Sequence, residues 1–249
     1  MGEKHVVSGN IAAAYGAKLC RPSVVSAYPI TPQTTIVEKI ADFVNNGEMD
    51  CEYIRVESEH SALSACFGAE AAGVRTFTAT SSQGLALMHE ILYGCSGARL
   101  PINMAIVNRT LAAPINIMAE WNDAMPERDS GWLIQWCESG QEVLDTIIMN
   151  YRVGEDKQVL LPQFCCMDAF ILSHTYEPVD IPLQKEVDDF LPPLELEYIL
   201  DVNKPICIHP LCDDRYTPEF RWGQEKAMQN ARQTILKVGE EFYEKFGRR

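Results

Sequence analysis

Short apolar runs that alternate with helical periodicity constrain the fold of this chain more than any other feature. Residues 24–27, 53–56, 75–80, 102–107 and 159–167 read as strands, brief and rich in apolar or β-branched side chains. Residues 9–19, 34–43, 61–73, 84–96 and 141–152 carry helical spacing; in the first, Ile11, Ala12, Tyr15 and Leu19 share one face. This order predicts an α/β fold on a doubly wound parallel sheet. With 249 residues the chain can bury one sizeable core and still carry an appendage.

The junction Tyr53-Ile54-Arg55-Val56-Glu57-Ser58-Glu59-His60-Ser61 is the most informative site signal. A strand ends there in two carboxylates, and a small-residue helix follows at once. Ligands of open parallel sheets bind at the carboxyl ends of the strands, where such a turn sits. A carboxylate held there among apolar groups can share a proton with a ligand nitrogen. The same acid at a helix start would also complement the helix dipole. Three further turns share that predicted edge. Tyr28-Pro29-Ile30-Thr31-Pro32-Gln33 aims Thr31 from a proline-pinned loop. Thr80-Ser81-Ser82-Gln83-Gly84 presents small polar groups before a helix, and Asn108-Arg109 offers a guanidinium that can fork onto a carboxylate. Four such turns on one sheet point to a site.

The net charge of −14 argues against nucleic acid and anionic membranes, since phosphate binding needs a basic face. No apolar run reaches the roughly 18 residues of a membrane span, and the first residues lack the apolar core of a signal peptide. The nine cysteines, at 20, 51, 66, 95, 137, 165, 166, 207 and 212, show no CxxC spacing. That pattern fits a reduced, cytoplasmic setting and offers no grouped thiolates for an iron–sulfur cluster. GxSxG, P-loop and GxGxxG motifs are absent. His89-Glu90 begins like a zinc-protease helix, but Tyr93 stands where the second histidine is needed.

The composition changes near Glu177. Seven of the 14 prolines fall within residues 177–222, which predicts an extended arm crossing the surface or a neighbouring subunit. Residues 224–246 form one amphipathic helix, with Ala227, Ala231, Ile235, Val238, Phe242 and Phe246 as its apolar stripe. The expected organisation is therefore an α/β domain over residues 1–176 and an arm with a final helix over 177–249. Arm and helix are expected to dock on another subunit.

The motifs Ala27-Tyr28-Pro29-Ile30-Thr31-Pro32, Val56-Glu57-Ser58-Glu59-His60-Ser61, Thr78-Ala79-Thr80-Ser81-Ser82-Gln83-Gly84-Leu85, Asn108-Arg109 and Arg128-Asp129-Ser130-Gly131-Trp132 carry a resemblance, as does the tail from Glu240 to Arg248. Taken in order, they resemble the pyrimidine-binding domain of the 2-oxoacid:ferredoxin oxidoreductases, in particular the α subunit of the pyruvate enzymes. The resemblance implies the thiamine diphosphate-binding fold. It implies that Glu59 contacts the cofactor's aminopyrimidine, with Pro29, Ser82 and Gln83 beside it, and that Thr31 and Arg109 hold the oxoacid. The implied reaction is oxidative decarboxylation of a 2-oxoacid, pyruvate favoured, to acyl-CoA and carbon dioxide, with electrons passing to ferredoxin.

No Gly-Asp-Gly occurs, so the resemblance places the diphosphate and Mg²⁺ on a partner β subunit, and [4Fe-4S] clusters on a ferredoxin-like subunit. The chain stops where relatives continue into a second α/β domain, which implies a separate subunit supplying it, a fragment, or an enzyme without it. The region around residues 151–156 and 190–193 looks closer to the oxalate branch. A dicarboxylate needs a second cation, for which Arg55, Arg75 and Arg128 are the spare arginines, and Arg128 in the loop 120–129 is a candidate for substrate selection. A non-catalytic assembly subunit is the alternative from another functional class.

Overall fold

The computed structural model describes residues 2–248. Its centre is a six-stranded, all-parallel sheet in the order β3-β2-β4-β5-β7-β6. The strands are β2 (Val24–Ala27), β3 (Glu52–Arg55), β4 (Thr76–Thr80), β5 (Asn103–Asn108), β6 (Leu133–Trp136) and β7 (Gln163–Asp168). The chain runs outward from β2 to β3, then returns to add β4 on the other flank of β2. The direction of winding therefore switches between β2 and β4, and a crevice opens outside their carboxyl ends.

Both faces of the sheet are covered, as the sequence alternation requires. On one face α1 (Gly9–Leu19), α2 (Thr34–Asn45) and α5 (Gly140–Gly154) bury Phe77, Ala79, Ala105, Val107, Cys165 and Met167. On the other, α3 (Glu59–Ala71) and α4 (Ser82–Gly97) bury Met104, Ile106, Phe164 and Cys166. Successive residues of β5 and β7 thus serve opposite cores, which a period of two demands. Serine side chains set three helix starts, with Ser8, Ser58 and Ser139 each accepting a backbone N–H three residues on. The Ser58 cap starts α3 at Glu59, two residues earlier than the sequence spacing predicts.

The segment after residue 176 departs from expectation. Despite its prolines it contributes a strand, β8 (Tyr176–Ile181), which pairs antiparallel with β1 (Glu3–Ser8), and a short helix, α6 (Gln184–Phe190). Prolines are tolerated because β8 has a partner on one side only and Pro178 needs no ladder donor there. The division at 176/177 falls inside β8. The final helix α7 (Thr217–Phe246) buries Ala227, Ala231, Val238 and Phe242 in the same core as α5, so this chain itself covers the apolar stripe. Arg248 completes the join by bonding Asp145 of α5 at 2.6 Å and Asp180 of β8 at 3.2 Å. The arm lies on its own domain. Strands β1 and β6, and the 3₁₀ turn Met125–Asp129 inside the expected loop, carry no sequence period long enough to read.

Candidate active site

The carboxyl edge of the sheet brings Thr31, Glu59, Gln83 and Arg109 together from four different strand ends. Gln33, fully buried, ties the β2 turn to β4 through a bond from its Nε2 to the Ala79 carbonyl at 2.9 Å. Arg109 follows β5 and is 7% exposed. Its Nη1 donates to the Thr31 carbonyl at 2.5 Å and its Nη2 to the Gln83 Oε1, while its Nε is buried without a partner. Both acceptors are neutral, and no carboxylate pairs with this guanidinium among the described residues. Burial lowers its affinity for its proton, and the nearby charges of Asp123 and Glu59 push back.

Glu59, in the first turn of α3, is 8% exposed. Its carboxylate makes no hydrogen bond or ion pair among the described residues. It lies across the start of α4, where a Cβ on Gly84 would stand 2.8 Å from Glu59 Oε1 and collide with Thr80 Oγ1. Glycine at 84 is therefore required by close approach. The Thr80 hydroxyl is fully buried and has no partner. An unpaired acid, an unpaired hydroxyl and an unpaired guanidinium N–H thus gather on one edge, where buried polar groups are ordinarily satisfied.

Several expected site residues play other parts. Thr31 is exposed, and its main-chain carbonyl rather than its hydroxyl meets Arg109. Ser82, expected beside the cofactor, is fully buried at a φ of 48° and turns its hydroxyl inward to the Thr110 carbonyl at 2.7 Å and Gln83 at 2.6 Å. Pro29 is exposed on the Thr31 turn. Arg128 has a side chain 66% exposed, and among the described residues its hydrogen bond and ion pair go to the Met125 carbonyl and Asp129. Arg75, counted as spare, lies at the opposite edge in a two-bond pair with Glu155.

The loop 120–129 also differs from a solvated charged loop. Asp123 and Glu127 are 2% and 3% exposed. Glu127 meets His89 of α4 at 2.7 Å, and burial raises its pKa against that bond. Asp123 accepts hydrogen bonds from the edge itself. Sequence reading missed this inward role, because no period in an irregular segment marks which acid turns in; Thr80 and Gly84 fall in the turn it assigned to the edge.

Comparison with known proteins agrees with this geometry. The family described as "Pyruvate flavodoxin/ferredoxin oxidoreductase, thiamine diP-bdg" matches residues 15–240. The pyruvate synthase subunit PorA of Methanothermobacter thermautotrophicus is 55% identical over 243 residues, covering 98% of this chain and 63% of that protein. The ketoisovalerate oxidoreductase subunit VorA of Pyrococcus horikoshii is 52% identical over 246 residues, covering 98% of this chain and 62% of that one. The chain therefore spans less than two thirds of the length of these relatives. A 2-oxoglutarate:ferredoxin oxidoreductase from Magnetococcus marinus, solved with 2-oxoglutarate, coenzyme A and succinyl-CoA bound, shares the fold with a TM-score of 0.74 at 19% identity, over 95% of this chain and 46% of that one. A six-stranded parallel sheet with this edge, and a family match over most of its length, establish that the chain belongs to the thiamine diphosphate-binding family of the pyruvate flavodoxin/ferredoxin oxidoreductases.

Proposed function

We propose that this chain is the α-type subunit of a thiamine diphosphate-dependent 2-oxoacid:ferredoxin oxidoreductase and supplies the pyrimidine-binding half of its active site. The observation that carries this reading is a pair of buried charged groups on one sheet edge that no opposite charge bonds directly, Arg109 without a paired carboxylate and Glu59 without a hydrogen bond among the described residues. A guanidinium taken out of water without a counter-ion is costly unless an anion arrives. A 2-oxoacid carboxylate is planar and suits the planar donors of a guanidinium, whose buried Nε has no partner among the described residues.

The residues on the page also fit the cofactor's flat, nitrogen-bearing ring. Glu59 and the unpaired Thr80 hydroxyl pack against Gly84, where they put a carboxylate and a hydroxyl side by side at the sheet edge. Thiamine diphosphate, when bound, supplies the nucleophilic carbon that attacks the oxoacid carbonyl. Glu59 would hold and move a proton at a nitrogen of that ring. Arg109 binds the carboxylate later lost as carbon dioxide. The Thr31 carbonyl steadies Arg109, and its hydroxyl is the group we assign to the oxoacid. Gln83 sets the position of the guanidinium, and Pro29 shapes the turn.

The preferred substrate is a monocarboxylic oxoacid, with pyruvate first. Arg55 and Arg128 are exposed and Arg75 is committed to Glu155, so no spare buried cation answers a second carboxylate. The relatives named for pyruvate and ketoisovalerate point the same way. Arg128 belongs at the outer rim. The diphosphate, Mg²⁺, [4Fe-4S] clusters and second α/β domain come from partner polypeptides or a longer form of this one, with coenzyme A as acyl acceptor and ferredoxin as electron acceptor. Exposed Ile115, Ile117, Met118, Trp121 and Met125 follow Arg109 and offer the apolar face such a partner covers.

The test is anaerobic turnover of the assembled complex over a panel of 2-oxoacids. Glu59→Gln should lower turnover by about 100-fold or more with assembly intact. Wild-type turnover in that variant removes Glu59 from the chemistry. A wild-type complex that oxidises no oxoacid would leave an assembly role instead.

A further inference from the structure

We propose that Asp123 is the positioning residue that holds Arg109 fixed for its anion. The inference rests on Arg109 as the carboxylate-binding group and adds a residue that acts through it. Asp123 is 2% exposed, and its two oxygens accept four hydrogen bonds. Oδ1 accepts from Asn108 Nδ2 at 2.9 Å and from the Ala124 N–H at 2.8 Å. Oδ2 accepts from the Ser82 and Arg109 N–H groups, both at 3.0 Å. Four donors use the acceptor capacity of an ionised carboxylate. They come from the β4–α4 turn, the end of β5 and the loop that follows it, so one side chain ties three segments of the edge.

These bonds close a ring. Asp123 holds the Arg109 backbone, the Arg109 guanidinium bonds Gln83, Gln83 shares the one Ser82 hydroxyl proton with the Thr110 carbonyl, and the Ser82 N–H returns to Asp123. A shift at Asp123 therefore moves the guanidinium relative to Thr31 and Glu59. The choice of backbone over side chain matters chemically. A direct Asp–Arg pair would fill the fork that the substrate needs. By taking the N–H of residue 109 instead, Asp123 contributes negative charge that favours the charged guanidinium while leaving Nε unpaired. Burial drives Asp123 towards its neutral form, and the four donors oppose that.

The experiment is a double-mutant cycle on the assembled complex, reading both the KM for pyruvate and its dissociation constant by calorimetry. Asp123→Asn should raise both by about tenfold while kcat changes less than about threefold. In an Arg109→Lys background the same change should have less than about a twofold effect, because the group it positions is already lost. Multiplying effects in the double variant, or an unchanged KM in Asp123→Asn, overturns the assignment. Should Asp123→Asn fail to assemble, Asn108→Ala removes one of the four donors and decides the matter. A raised KM that disappears in the Arg109→Lys background supports the assignment, and an unchanged or additive one rejects it. A wild-type complex that neither binds nor oxidises any 2-oxoacid sinks the functional reading itself, whereas an active wild type with additive variants sinks only the role of Asp123.

Discussion

Arg75 and Arg109 each leave 7% of their surface exposed, at opposite ends of one parallel sheet, with the Arg75 guanidinium the more deeply surrounded by protein. At the amino edge Arg75 gives Nε and Nη2 to the two oxygens of Glu155 at 2.5 and 2.7 Å, and bonds the Cys20 and Pro192 carbonyls at 2.8 Å. Burial alone would lower its pKa, but the Glu155 carboxylate outweighs that and the net shift is upward. At the carboxyl edge Arg109 has only neutral acceptors, an unpaired Nε and a net downward shift. One arginine is paired with a carboxylate inside the fold and the other has only neutral hydrogen-bond partners. The difference teaches that burial by itself does not mark a functional cation; burial without a counter-ion does. The amino edge has one exception, Glu70, whose Oε1 has no partner. Burial raises its pKa to about 8, so at neutral pH it is a protonated acid and not an uncompensated charge.

The largest expected effect breaks the amino edge. Arg75→Met leaves Glu155 buried without its partner and should destabilise the chain by about 3–5 kcal/mol. Chemical denaturation measures this directly; a loss below about 1 kcal/mol would mean the pair is not structural. The next effect belongs to the carboxyl edge and should fall on binding instead. Arg109→Lys keeps the charge but loses the planar fork, and should weaken oxoacid binding by about 1.5–3 kcal/mol through KM while stability changes by less than about 1 kcal/mol. If it unfolds the chain as readily as Arg75→Met does, the two edges are not different in kind. The smallest effect sharpens the boundary of the site. Arg128→Ala should change the ratio of kcat/KM for pyruvate over 2-oxoglutarate by less than about twofold, since an exposed charge is screened. A larger change would extend the site out to the 3₁₀ turn.

Much of this was legible in the sequence where the signal is local. The spacing in residues 9–19 and the run at 24–27 coincide with α1 and β2, and Glu59, Thr31, Gln83 and Arg109 do meet on one edge. What failed to read was set by distant partners. Strand β6 is four residues long and exists because Leu133 to Trp136 pair with Gln163 to Cys166 of β7. Strand β8 exists because β1, more than 160 residues earlier, offers it a ladder. Ser82 has the small polar character of a ligand-facing group, yet its positive φ turns the hydroxyl into the protein.

The amino-acid sequence by itself determined the α/β class, the doubly wound sheet and which turns share its carboxyl edge. Periodicity and turn residues act over a few neighbours and need no partner to be read. Only the tertiary structure decided which charges are spent. Arg75, Arg109 and Arg128 are alike as letters, but Glu155 neutralises the first, solvent takes the third, and the second stands buried without a counter-ion. Asp123 was likewise one acid among several in its loop until folding placed four donors around it. Desolvation and pairing depend on groups brought together across the chain, so the free energy of a charge is a property of the fold and not of the residue.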